Sequence, residues 1–359
     1  MIYIHVPLCR SFCTYCGFYS EIAADGCKKQ YLEALKAEIL SAKGKNPGPL
    51  NTLYFGGGTP SVLDPEDFRQ MLETLEEAGF TGPFEEWTVE VNPDDIVTKG
   101  PAYVKALMEL GVNRFSIGIQ SLDDGILRWM NRRHDAARGL EAMRILRESG
   151  VRNLSADLIF GLASLQEKTW EDTVCRLLEA ARPEHISAYQ LSVEAGSALE
   201  KQVAEGLCAE ASDERCRAQY DLLCRLLRDA GYEHYEVSNF ALPGFRARHN
   251  SGYWARIPYL GFGGGAHSFD GSVRSWNTEK LTGYSRQSEI LTPEDSKIER
   301  IMLSLRTSDG ADAAFLHECC NADTLGRLLS EGVLVESQGR IRIPEDRFFV
   351  SDEIIQELI

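Results

Sequence analysis

The chain has 359 residues, 43% of them apolar, with 38 basic against 54 acidic side chains and a net charge of −16. That length is enough for one large domain with something smaller beside it, and the acidity argues against nucleic acid as a main partner, because phosphate binding needs clustered Lys and Arg. No run of 18 apolar residues reads as a membrane span, and the opening "MIYIHVPLCRS" has neither a basic leader nor a cleavage site. Ten cysteines in such a chain point to metal or buried thiols rather than disulfides, and to a cytoplasmic setting.

The first half alternates strand-like and helix-like segments. "MIYIHV", "NTLYFG", "EWTVEVN", "NRFSIGIQ", "RNLSADLIF" and "EHISAYQLS" read as strands. Between them lie the amphipathic patterns "KKQYLEALKAEILSAK", "PEDFRQMLETLEEAG", "AYVKALMELG", "GLEAMRILRESG" and "WEDTVCRLLEAA". Six strands joined by five helices predict a parallel β/α layer or barrel. A full eightfold barrel needs about 250 residues, and this run ends near residue 192, so a partial (β/α)6 barrel is expected.

The strands carry polar residues on one parity. Tyr3 and His5 alternate with Ile2, Ile4 and Val6; Thr88, Glu90 and Asn92 with Trp87, Val89 and Val91; Ser116, Gly118 and Gln120 with Phe115, Ile117 and Ile119; Asn153, Ser155 and Asp157 with Leu154, Ala156 and Leu158. On barrel strands one parity lines the interior together. Buried carboxylates without partners cost several kcal/mol on the order of the charge-burial penalty, so a polar ligand in the lumen is expected. The plainer alternative is a set of strands with solvent-facing edges.

Beyond residue 200, "DERCRAQYDLLCRLLRDAG" reads as a helix, "YEHYEVSNFA" as a strand and "PGFRARHNSGYWARIPYLGFGGGAHSF" as a Gly- and aromatic-rich loop. The tail gives "PEDSKIERIMLSLR", "AAFLHECC" and "ADTLGRLLSEG" as helices, then a hairpin-like "VLVESQGRIRIPE", an order resembling a winged helix. Its eleven acidic and four basic residues from Ser308 onward favour a packing module over a DNA reader. The expected divisions are 1–200, the barrel with its site; 201–290, a connecting region; and 291–359, the winged-helix-like module.

Cys9, Cys13 and Cys16 stand three and two residues apart, with Phe18 where a fourth cysteine would fall. Four-iron clusters take four thiolates, so three would hold three irons and leave the fourth open. The spacing also stripes one face of a helix with buried thiols, but Pro7 and the strand-like "YIHV" upstream favour a loop. Structural zinc needs a fourth Cys or His that this segment lacks. "GGG" at Gly56–Gly58, before Thr59, is a turn or a close-approach loop.

Cys-x3-Cys-x2-Cys after a first strand, followed by "YFGGGTPS", resembles the radical S-adenosylmethionine (SAM) superfamily. "VEVNPDD", "RFSIGIQS", "NRRHD", "ADLIFGL" and "HISAYQLSVEAGSAL" resemble, in order, its oxygen-independent coproporphyrinogen III oxidase-like family. The resemblance implies a [4Fe–4S] cluster on Cys9, Cys13 and Cys16, with SAM chelating the open iron and yielding a 5′-deoxyadenosyl radical on reduction. It places Gly56, Gly57, Gly58 and Thr59 at the SAM amino group, Tyr3 near the sulfonium, Glu90 and Gln120 near ribose and carboxylate, and Arg132 and Asp157 on SAM as well. A low-potential electron donor such as flavodoxin or ferredoxin is implied as partner.

Within that family the dehydrogenase carries a fourth cysteine, where this chain has Phe18, and a segment ahead of the first strand, which here begins at Ile2. The heme chaperone (HemW-like) branch carries His-Asn-x-x-Tyr-Trp, present here as "HNSGYW" at His249, Asn250, Tyr253 and Trp254. A neutral imidazole suits heme iron and aromatics pack on the macrocycle; a structural loop histidine is the alternative. The resemblance therefore implies heme binding and delivery to acceptor hemoproteins. The alternatives are coproporphyrinogen III dehydrogenation by radical decarboxylation and a related tetrapyrrole-modifying radical reaction.

Overall fold

The structure, a computed structural model, describes residues 1–46, 48–49 and 51–359. Six parallel strands follow in chain order: β1 (Ile2–Val6), β2 (Thr52–Gly57), β3 (Glu86–Val91), β4 (Arg114–Gln120), β5 (Leu154–Phe160) and β6 (His185–Gln190). Each pairs with the next, so chain order and sheet order agree. The helices Cys27–Ser41, Pro65–Glu77, Pro93–Leu110, Ala136–Glu148 and Glu167–Ala180 return the chain over the outer face. They start where the sequence supplies caps: Asp64 with Asp67 as a capping box, Asn92 on Asp94, and Asp135 on Arg138.

The apolar parity of the strands faces these helices. Ile4, Phe55, Val89, Ile117, Ala156 and Ile186 are buried in one continuous core with the helix residues Leu35, Phe68, Val104, Leu146 and Leu177. Each large side chain there is worth about 1.5–3 kcal/mol of burial. The polar parity is left for the concave side. This is the partial (β/α)6 barrel that the sequence leads one to expect.

Past residue 200 the chain departs from expectation. "YEHYEVSNFA" is a hairpin, Glu233–Glu236 and Asn239–Ala241, and Glu236 closes its turn by accepting from the Ser238 N–H at 3.1 Å. Its second strand extends the barrel sheet antiparallel to β6. The stretch expected as a loop holds the helix Arg248–Trp254, and Leu260–Phe262 is a strand lying parallel beside β1. Region 201–290 is thus partly woven into the barrel sheet. A separate antiparallel sheet of His267–Phe269, Val273–Asn277 and Arg286–Ile290 follows. Strands of three residues carry too little periodicity to be seen in sequence.

The C-terminal region is helical and winged-helix-like. Helices Pro293–Leu305, Ala313–Cys319 and Ala322–Ser330 pack with the hairpin Val335–Ser337 and Arg340–Arg342, which Ala311–Asp312 joins as a third strand. No helix among the described residues is long and apolar enough to cross a membrane.

Candidate functional site

The three closely spaced cysteines leave the C-terminal end of β1 on a pinned loop. Leu8–Cys9 pairs with Glu21–Ile22, and the Ala23 N–H donates to the Cys9 carbonyl at 2.8 Å. Farther along, the Thr14 hydroxyl donates to the Trp129 carbonyl at 2.8 Å and Asn131 Nδ2 to the Phe12 carbonyl at 2.7 Å. The loop is tied across the barrel mouth to the segment after β4, and the cysteines are not on a helix. Burial raises the thiol of Cys9, and raises that of Cys16 to about 11.

All three cysteines line one cavity of about 550 Å³, within the range of small-molecule sites. Its wall is the polar parity of the strands: Tyr54, Glu90, Ser116, Gly118, Gln120, Asp157, Ser187 and Tyr189. Of the residues the resemblance assigns to SAM, Gly57, Gly58, Thr59, Glu90, Gln120, Arg132 and Asp157 all line it. Gly56 and Tyr3 do not; the Tyr3 hydroxyl is engaged with His5 Nδ1 at 3.0 Å.

Burial pushes the Glu90 carboxyl up to about 7, although the Tyr54 hydroxyl donates to Oε1 at 2.7 Å and the Gly57 N–H to Oε2 at 3.2 Å. Asp157 is raised by burial too, against hydrogen bonds from Ser187 and Ser116 and the pull of Arg114 and Arg132. Arg132 lies in an irregular segment, not on a helix. Its Nη2 donates to the Gly118 carbonyl at 2.7 Å and its Nη1 to Cys13 Sγ at 3.4 Å. Gln120 ends β4 with φ 62°, in the left-handed region that a residue with a side chain rarely adopts, at an irregularity in the pairing with β5. Such a cost persists at sites where it aims a side chain.

The glycines have a different reason from the one expected. A Cβ on Gly56 would lie 2.7 Å from the Tyr54 ring and 2.9 Å from Glu90 Oε1; one on Gly57 (φ 105°) would run into the His5 imidazole; one on Gly58 would lie 3.1 Å from Cys9 Sγ. Protein packing already demands glycine at Gly56 and Gly57, and at Gly58 the Val6 carbonyl oxygen at the end of β1, 2.8 Å from such a Cβ, does so together with the cysteine loop.

Arg114 is a lumen residue that sequence reasoning missed. It is 1% exposed and lines the cavity, and among the described residues its Nε has no hydrogen-bond partner. Ser116, Gly118 and Gln120 share one parity; counting back two residues along β4 reaches Arg114. Tyr54 follows in the same way from Gly56 on β2.

The HNSGYW residues lie on the helix Arg248–Trp254 and part company. His249 is 1% exposed, with Nδ1 on the Thr52 hydroxyl at 2.8 Å and Nε2 on the Tyr253 hydroxyl at 2.8 Å. Its backbone N–H donates to Glu86 Oε1 at 2.8 Å, and its ring packs 5.1 Å from that of Tyr54. Burial lowers its pKa to about 3, so the ring is neutral. The expected open heme ligand is therefore not what this conformation presents: both ring nitrogens are occupied, and the imidazole braces the tyrosine that holds Glu90. Tyr253 shares that brace and packs edge-on to Tyr259. Asn250 reaches the main cavity, whereas Trp254 lines a different one.

The radical SAM superfamily profile matches residues 3–177. Over 88% of this chain and 79% of its own length, the heme chaperone HemW of Synechocystis sp. is 32% identical. That of Lactococcus lactis is 28% identical over 99% of this chain and 96% of its own. This chain belongs to the radical SAM superfamily, on its HemW-like branch. The structure of coproporphyrinogen III oxidase (HemN) from Escherichia coli shares the fold with a TM-score of 0.81, covering 99% of this chain and 89% of that one at 21% identity.

Membership implies a [4Fe–4S] cluster and SAM, and the residues present fit both. Three thiols line one cavity together with Arg114 and Arg132, whose buried Nε atoms have no hydrogen-bond partner among the described residues and so leave donor capacity unused. Two carboxyls held out of water line the same cavity, and a bound cation there would offset their burial.

Proposed function

We propose that this chain binds heme and passes it to acceptor hemoproteins, holding a [4Fe–4S] cluster on Cys9, Cys13 and Cys16 and SAM against Glu90, Gln120, Arg132 and Asp157. The observation that carries this reading is likeness along 99% of the chain to a protein named as a heme chaperone. Phe18 supports it, since an exposed ring (71%) stands where a fourth thiolate would serve the dehydrogenase. A cluster and SAM held by these residues would supply one-electron chemistry. The chain's own part is to fix three thiols on a pinned loop, to hold Glu90 through Tyr54 and Gly57, and to set Arg132 against Cys13.

The test is the mass of the tetrapyrrole after anaerobic incubation of reconstituted protein with reductant and SAM. Coproporphyrinogen III and heme are offered in separate tubes, followed by an apo-hemoprotein. Heme recovered intact and passed on, with coproporphyrinogen unchanged, is expected. Loss of two carbon dioxides from coproporphyrinogen would make the chain a dehydrogenase instead.

A further inference from the structure

A second cavity, of about 380 Å³, opens where the motif helix meets the C-terminal region. Trp254 and Phe269 supply its aromatic wall, and Arg256, Arg300 and Arg340 surround it, with Asp312 the single carboxylate among the lining residues. A local excess of guanidinium is unusual in a chain of net charge −16.

The three arginines are held differently. Arg256 follows the motif helix with φ 52° in the left-handed region. Its Nη1 donates to the Ser296 carbonyl at 2.5 Å, its Nη2 lies 3.2 Å from Glu299, and its buried Nε has no hydrogen-bond partner among the described residues. Arg340 donates only to backbone, from Nε to the Asp309 carbonyl at 3.0 Å and from Nη2 to that of Gly310 at 2.5 Å. Arg300 stacks 3.8 Å over the Phe315 ring. Among the described residues, neither Arg300 nor Arg340 is paired with a carboxylate. Asp312 is occupied as the cap of the helix Ala313–Cys319, accepting from the Phe315 N–H at 2.9 Å. Two guanidiniums fixed in place yet without a counter-ion form a ready site for anions, which arginine binds through paired N–H groups.

We propose that this cavity receives the carboxylate edge of a planar tetrapyrrole, with Arg300 and Arg340 on the carboxylates and Trp254 against the apolar plate, while Phe269 lies buried beneath the Arg256 guanidinium, which sits 5.2 Å from the Phe269 ring centroid. This rests on the heme reading above, and it moves the contact from His249 to the other end of the same helix. Anchoring through carboxylates and ring faces leaves the iron free for a ligand from the acceptor, as delivery requires.

The test is a heme titration of the cluster-loaded full chain, followed by the Soret band, in wild type, Arg300→Glu and Arg300→Lys. Heme dimethyl ester, whose propionates are capped, is titrated into the wild type in parallel. Arg300→Glu removes one charge-assisted hydrogen bond from a partly dry site and sets a carboxylate against the propionate, so it is expected to weaken heme by about tenfold or more, and Arg300→Lys to restore most of it. The ester, which loses both carboxylate pairs, should bind wild type at least about tenfold more weakly than heme does. Equal heme affinity in wild type and Arg300→Glu, or an ester that binds as tightly as heme, overturns the inference and leaves the heme reading standing. A wild type that binds no heme overturns that reading, and this one with it.

Discussion

Replacing Glu90 with Gln removes a carboxyl that burial has raised from 4.5 to about 7. Near neutral pH the wild-type group is half protonated. If SAM, which carries a net positive charge, is favoured by the ionised form, affinity follows the ionised fraction. That fraction is about one in eleven at pH 6 and ten in eleven at pH 8, so SAM should bind about tenfold more tightly at the higher pH. The amide is a fair isostere, because its oxygen can accept from the Gly57 N–H while its NH2 donates to the Tyr54 oxygen. Stability should move the other way. A carboxyl whose folded pKa is raised binds more protons folded than unfolded, so its contribution is present at low pH. It is lost as pH climbs from the ordinary carboxylate range through about 7, by about 3 kcal/mol. Equilibrium dialysis of SAM against reconstituted wild type and Glu90→Gln between pH 6 and 8 separates this group from the titration of SAM's own amine. Parallel pH slopes in the two proteins would refute the reasoning.

Changing Cys9, Cys13 and Cys16 together to Ala should abolish the brown absorbance and bound iron; four irons retained per chain would end the cluster assignment. His249→Ala leaves the buried Thr52 and Tyr253 hydroxyls without their partner and opens a cavity, a loss of about 2–4 kcal/mol. Thermal melting and SAM affinity should both fall, whereas weakened heme binding with an unchanged melt would restore the imidazole as a heme ligand. Gly57→Ala combines a left-handed φ of 105° with a clash against His5, so the yield of folded protein should drop sharply; a normal melting temperature would contradict it. Arg132→Ala removes the N–H donated to Cys13 Sγ at 3.4 Å and a positive charge beside the cluster. Both favour the reduced, more negative state, so the midpoint potential in a redox titration should become more negative, and an unmoved potential would place Arg132 on SAM alone.

The barrel is legible because each of its strands is long enough to show a period of two and each helix long enough to show its stripe. The same parity finds Glu90, Gln120 and Asp157. What escapes has a common cause in contacts between distant parts of the chain. Leu260–Phe262 becomes a strand only because β1 offers it an edge, some 250 residues earlier. The left-handed backbone of Gln120 reflects a pairing irregularity with β5 that no local pattern encodes. Glycine at Gly56 and Gly57 looks like room for a ligand, yet the atoms that exclude a Cβ belong to Tyr54, Glu90 and His5. His249 looks like a loop ligand because its partners, Thr52 and Glu86, lie over 160 residues away.

The motif helix joins these observations. It is seven residues long, about 10 Å at 1.5 Å per residue. His249 at one end braces Tyr54, and through it Glu90; Trp254 at the other end lines the arginine cavity. An isolated helix that short is unstable in water, so its position is set by what it touches: Thr52, Glu86 and Tyr54 on the barrel side and the helix Pro293–Leu305 on the other. A ligand at either end changes the other only if it favours a different seat of the helix, and any such coupling must be equal in both directions. Heme affinity measured with and without saturating SAM therefore decides between a strut and a lever. Equal affinities make the helix a strut serving two independent sites. A finite shift in heme affinity makes it a lever, and the same factor must then appear in SAM affinity when heme is bound. Heme affinity that falls without limit as SAM rises would mean instead that the two ligands compete for one cavity.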